Sequence, residues 1–186
     1  MNIDQILDNI FPLPTTSKIK IKNIITEVSY PKHHTLISTN KIETSIYLLK
    51  KGLVRAYANN TDQQITFWFG KEGDTIISLK SYVLNQKGYE VIETLETCEL
   101  YELKVQNLQE LFNEDIHIAN WGRKLCEREL IKTEERLISL QFLSATDRYK
   151  ELLQNNPDLL RRVQLGHLAS YLGVTQVTLS RIRAQK

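Results

Sequence analysis

Between Leu165 and Arg183 the chain sets hydrogen-bonding side chains at helical spacing, in a stretch where Leu159–Lys186 carries basic residues and no acid. Gln176, Val177, Thr178, Ser180 and Arg181 fall on the N-terminal half of a segment whose apolar positions are Leu179 and Ile182. These are the side chains that read duplex nucleic acid: Gln pairs with adenine, Arg with guanine, Ser and Thr reach base edges or phosphate, and Val meets a thymine methyl. Arg161, Arg162, Thr175, Arg183 and Lys186 are read as phosphate contacts, which give affinity without sequence preference.

Such side chains need a frame. Leu168 and Ala169 belong to a first helix, followed by Leu172, Gly173 and Val174, then by the second helix. Two helices that cross steeply need a small residue at the contact, here Ala169, and a sharp turn with φ > 0, which Gly173 supplies. Val174, Leu179 and Ile182 are expected to face inward, and Thr175 to cap the second helix. The plainer alternative is a helical hairpin whose glycine is only a C-cap.

The charge follows the same division. Residues 1–115 hold 12 Lys and Arg against 15 Asp and Glu, and residues 116–186 hold 12 against 7, so the formal net of +2 conceals −3 and +5. A basic C-terminal part points toward a polyanionic partner.

Upstream, three patterns follow one another. Ile3, Ile6, Leu7 and Ile10 recur at helical spacing before Pro12 and Pro14, and Ser17 is expected to cap a second helix holding Ile21, Ile24 and Ile25. From Val28 to about Leu103 the chain turns to short β-rich runs, at Thr35–Ser38, Ser45–Leu49, Gly52–Ala58, Gln64–Phe69, Glu90–Leu95 and Cys98–Leu103, which predict a sandwich or barrel. In Gly52–Ala58, alternation puts Leu53, Arg55 and Tyr57 on one side and Val54, Ala56 and Ala58 on the other.

After Lys104 helices return. Val105–Asn113 predicts a short one and Asp115–Leu143 a long one. In the latter Ala119, Cys126, Leu130, Thr133, Leu137 and Leu140 approximate an a/d seam, interrupted at Arg123. The seam fits packing on its own domain or pairing with a second copy, and its length and flanking charges favour pairing. Ser144 to Asp147 reads as a capping box that starts a new helix, which stops at Asn155 and Asn156, with Pro157 in the first turn of the next element.

Other chemistry finds little support. No apolar stretch approaches a membrane span, and Met1–Pro14 lacks the features of a secretory signal. Two cysteines, Cys98 and Cys126, are too few for a disulfide framework, zinc site or thiolate cluster; both are expected to be small buried hydrophobes in a reducing, cytoplasmic setting. His33 and His34 are adjacent and would face opposite sides of a strand, so they do not make one metal site. No P-loop, nucleophile elbow or paired-carboxylate arrangement stands out, and no metal or catalytic residue is assigned.

Nearly the whole chain resembles the Crp/Fnr superfamily of bacterial transcription regulators. Ser45–Ala58 and Gln64–Asp74 resemble the central hairpins of its cyclic-nucleotide-binding β-roll, Glu96–Leu103 the closing strand, and Leu165–Arg183 its helix-turn-helix. The resemblance implies an α+β protein with three parts: a double-stranded β-roll (a cNMP-binding-like jelly roll) over 1–114, a dimerisation helix over 115–143 and a winged-helix-like helix-turn-helix domain over 144–186. It implies a homodimer, double-stranded DNA with two half-sites about one helical turn apart, and RNA polymerase as a further partner.

Two departures qualify it. Ile77 and Ser78 stand where nucleotide-binding members have Gly-Glu, and Gly88 and Tyr89 stand where the phosphate-binding Arg and its small polar neighbour belong. Cyclic AMP is therefore not the expected ligand, no cofactor is assigned, and Ile77, Ser78, Lys80, Gly88 and Tyr89 mark the effector pocket. The wing that follows the recognition helix in many relatives is expected to be missing or truncated, and Val177 stands where relatives often carry Glu. A small-molecule-binding or cupin-like metal enzyme with structural C-terminal helices is the alternative.

Overall fold

Asn2 opens the first helix, α1 (Ile3–Ile10): its side chain accepts the Gln5 amide at 2.9 Å, and the Gln5 side chain accepts the Asn2 amide at 3.0 Å. The structure, a computed structural model, describes residues 1–61 and 63–184. α2 (Thr15–Asn23) follows with Pro14 at its N-cap. Ser17 is not that cap: it lies inside the helix, buried, and its hydroxyl donates to Asp115 Oδ2 at 3.0 Å.

The β-rich region forms eight strands among the described residues: β1 (Ile25–Tyr30), β2 (Thr35–Ile37), β3 (Ser45–Lys51), β4 (Val54–Asn59), β5 (Gln64–Gly70), β6 (Thr75–Ile76), β7 (Glu90–Thr94) and β8 (Cys98–Lys104). They make two four-stranded sheets, in the orders β1-β8-β3-β6 and β2-β7-β4-β5. A short helix, α3 (Leu79–Leu84), lies between β6 and β7; neither it nor the two-residue β6 was expected. Both faces of β4 are covered, because Val54, Arg55, Ala56 and Tyr57 are all buried. Arg55, at 2 % exposure, is balanced by an ion pair from its Nε to Glu93 at 3.0 Å. His33 sits in a turn with φ +66° rather than on a strand, and His34 stacks on Tyr30 with ring centroids 4.2 Å apart.

The helical part comprises α4 (Val105–Glu114), α5 (Ile116–Phe142), α6 (Ala145–Asn155), α7 (Leu159–Arg162), α8 (Leu165–Leu172) and α9 (Gln176–Ala184). Pro157 precedes α7 and its N-cap Asp158 instead of entering its first turn.

Packing divides the chain into two units. The first is Met1–Ala56 with Phe69–Arg128. Its main core joins Ile6, Leu7, Ile10 and Ile21 to Ile46, Leu48, Leu103, Leu108 and Ile118, and buries Trp121, whose indole N–H donates to the Leu7 carbonyl at 3.0 Å. Asp115 ties α2 to the start of α5: besides Ser17 it pairs with Lys20 at 3.0 Å and accepts the His117 amide at 3.0 Å. The second unit is Tyr57–Trp68 together with the chain from Glu129 onward. In it the Ser170 hydroxyl on α8 donates to the Gln64 carbonyl and accepts the Thr66 amide, each at 2.9 Å. This satisfies part of β5, the edge strand of its sheet.

Candidate nucleic-acid interface

α8 stops where the sequence places its glycine. Gly173 has φ +69°, and the amides of Gly173 and Val174 return to Ser170 and Ala169 carbonyls at 3.1 and 3.0 Å. A side chain at Gly173 would first meet Arg148 Nη2 at 3.7 Å, an ordinary contact, so the left-handed backbone and not space selects glycine. Thr175 Oγ1 accepts the Thr178 amide at 3.2 Å and so opens α9. Leu168, Ala169, Leu172 and Leu179 are buried between the helices; Val174 and Ile182 are half-buried at the margin.

Two arginines brace that turn. Arg148 on α6 donates from Nε to the Leu172 carbonyl at 3.0 Å and from Nη1 to the Leu143 carbonyl at 2.6 Å. Arg136 on α5 donates to the Tyr171 carbonyl and lies over the Tyr171 ring, 3.9 Å from its centroid. Burial lowers the Arg136 pKa from its ordinary value. Both cations stand at the C-terminal end of α8, where the last carbonyls lack helical partners and the helix dipole is negative. In the sequence Arg136 is one of the charges flanking the α5 seam, and Arg148 carries no expectation.

The outer side of α9 is open. Gln176, Val177, Ser180, Arg181 and Arg183 are exposed, Val177 at 61 %. No ion pair holds Arg181 or Arg183 among the described residues. Thr178 is half-buried, with Oγ1 3.0 Å from Thr175 Oγ1, so both hydroxyls serve the start of the helix. The Gln176 amide lies against Gly166 of α8. Of the remaining residues assigned to phosphate, Arg161 pairs with Asp158 at 2.5 Å and Arg162 is half-buried. Asp158 lies one residue outside the acid-free stretch. Lys186 lies outside the described residues.

The seam residues of α5 differ along its length. Ala119 is half-buried beside the buried Ile118 and Trp121 of the first unit. In the second unit Leu130 (70 % exposed), Leu137 (54 %) and Leu140 are uncovered, with Ile131, Ile138 and Phe142 beside them. Thr133 is exposed and its hydroxyl donates to the Glu129 carbonyl at 2.7 Å. Cys98 is buried as expected, but Cys126 is exposed, because α5 has little packed against it from there on.

Of the residues assigned to the effector pocket, Ser78 and Gly88 come together, with Ser78 Oγ 2.8 Å from the point where a side chain on Gly88 would begin. Ile77 packs on the main core. Ser78 is buried, Gly88 is half-buried, and Tyr89 is exposed with the Lys80 ammonium 5.9 Å from its ring centroid. Beside them the structure buries an acid that carries no expectation from the sequence, Glu90 at the start of β7. Strand alternation carried the signal, since Glu90 shares parity with the buried Ile92 and Thr94.

Residues 27–115 match the cyclic nucleotide-binding domain family. No curated protein sequence matches the chain. Among solved structures, FixK2 from Bradyrhizobium japonicum superposes with a TM-score of 0.75 at 20% identity, covering 87% of this chain and 84% of that one. A protein assigned to the Crp/Fnr family of transcriptional regulators, from Eubacterium rectale, gives 0.74 at 16% identity, covering 95% and 87%. The catabolite activator protein of Thermus thermophilus gives 0.61 at 20% identity, covering 97% and 85%. No helix of the described residues is long and apolar enough to cross a membrane. With its two antiparallel sheets and C-terminal helices, the chain shares the fold of these Crp/Fnr-type structures, and its residues 27–115 are similar to cyclic nucleotide-binding domains.

Proposed function

We propose that the protein is a homodimeric, sequence-specific DNA-binding transcription regulator whose sensor domain does not take cyclic AMP. The observation that carries the reading is the outer face of α9: Gln176, Val177, Ser180, Arg181 and Arg183 are exposed on a helix set by a glycine turn and braced by Arg136 and Arg148. A rigid helix with base-reading side chains on its N-terminal half suits the major groove. Gln176 and Arg181 are the base readers, with Val177, Ser180 and Thr178 beside them. Arg183 and Lys186 contact phosphate, while Arg161 must first leave Asp158.

The dimer is supported by the uncovered Leu130, Leu137 and Leu140 on α5, a stripe too apolar for a helix that stays in water. The exclusion of cyclic AMP is supported by the buried Glu90 carboxylate beside Gly88 and Ser78, where a cyclic phosphate would need a cation.

Selection of bound fragments from random duplex DNA, followed by gel shift of the enriched sequence against increasing salt, tests this function. A two-fold-related consensus with half-sites about one helical turn apart and steeply salt-dependent affinity is the expected result. No enrichment would overturn it.

A further inference from the structure

The start of β7 holds a buried acid with no ion pair among the described residues. Glu90 is 5 % exposed. Its Oε2 accepts the Tyr89 amide at 3.0 Å, and its Oε1 has no hydrogen-bond partner among the described residues. An unmatched buried carboxylate oxygen is costly, so a site that keeps one needs a reason.

The neighbouring hydroxyls add acceptors rather than donors. Ser81 Oγ donates to the Gln86 carbonyl at 3.0 Å and accepts the Glu43 amide at 3.1 Å. Ser78 Oγ donates to Ser81 Oγ at 3.2 Å, which spends its proton and leaves its lone pairs. Glu90 Oε1, Glu90 Oε2 and Ser78 Oγ converge over Gly88, at 2.7, 2.8 and 2.8 Å from the point where a side chain would begin. A side chain at Gly88 would force these atoms to shift. The second acid nearby, Glu43, is already engaged by the Ser38 amide at 2.9 Å and by Lys41 at 3.2 Å.

We infer that Ser78, Gly88 and Glu90 form the head-group site of the sensor domain, and that the group it takes is an organic cation, a protonated amine or a guanidinium. This rests on reading the domain as effector-binding. Such a head group brings the N–H donors and positive charge that the cluster lacks, and the bond to Glu90 is charge-assisted. A phosphate would set like charge against Glu90 and find no donor on Ser78. A hard divalent cation needs six or more oxygen ligands, and the described residues hold no group of three acidic, His or Cys side chains for a metal.

Calorimetric titration of the full chain at constant ionic strength tests this, with methylguanidine, agmatine and putrescine as cationic probes and with cyclic AMP and inorganic phosphate as anionic ones. Saturable binding of at least one cationic probe is expected, weakened about tenfold or more in Glu90→Gln, with no binding of either anion. Amide shifts at Gly88 and Tyr89 in the unsubstituted protein locate the site even if Glu90→Gln folds poorly. Silence of all three cations, anion binding in their place, equal affinity in folded Glu90→Gln, or shifts confined to other residues would overturn the inference. Effector-free DNA binding, measured on the same preparation, keeps this outcome separate from that of the regulator reading.

Discussion

Arg148 reaches from α6 to the carbonyl of Leu172, the last residue of α8, at 3.0 Å, and the same guanidinium holds the Leu143 carbonyl at the end of α5's extension at 2.6 Å. One side chain thus joins three helix ends around the turn that aims α9. Arg148→Ala is expected to destabilise the second unit by about 2 kcal/mol, the scale of lost hydrogen bonds from a charged donor. Denaturant unfolding measures this. DNA affinity should fall with no change in the preferred sequence, since Arg148 orients the reading helix without reading bases.

Acid sensitivity should trace to Asp115. The Lys20 hydrogen bond, opposed by burial and aided by Ser17 and backbone amides, holds its pKa below the ordinary 3.8. A carboxyl whose pKa is lower folded than unfolded stabilises the fold above the unfolded value, and that contribution is lost as pH falls through the folded one. Thermal unfolding of the wild type should therefore move to lower temperature below about pH 4. Asp115→Asn should be less stable than wild type at neutral pH, with the difference shrinking as pH drops. A constant difference across that range would remove Asp115 as the source.

The exposed stripe on α5 predicts a specific assembly. Sedimentation equilibrium should give twice the 21.7 kDa chain mass. Leu137→Glu places two charges in a two-fold interface and should weaken dimerisation roughly 100-fold, while far-ultraviolet circular dichroism stays unchanged. An unchanged dimer would move the interface elsewhere.

Much of this arrangement was legible in the sequence because local rules decided it. Gly173 is required by its backbone angle, Thr175 caps α9 with its own hydroxyl, and Asn155 and Asn156 end α6 as expected. Residues decided by distant partners were not legible. Ser17 looks like a helix cap but bonds Asp115, 98 positions away. Arg161 looks like a free cation, yet Asp158 sits immediately before the acid-free stretch and pairs with it. Arg136 and Arg148 carry no motif, because their partners are backbone carbonyls of another helix. Glu90 was passed over as the polar start of a strand, although its parity with Ile92 placed it inside. Cys126 was expected to be buried on residue type alone, but position on a sparsely covered helix decides otherwise.

The outer face of α9 carries the proposed function, and Arg181 is its most discriminating residue. Fluorescence anisotropy with the selected duplex and with a random duplex of equal length, for wild type and Arg181→Ala, tests it most directly. A loss of about 1–3 kcal/mol is expected on the selected site and a much smaller loss on random DNA. Equal losses on the two, or no salt-dependent binding by the wild type at all, would contradict it.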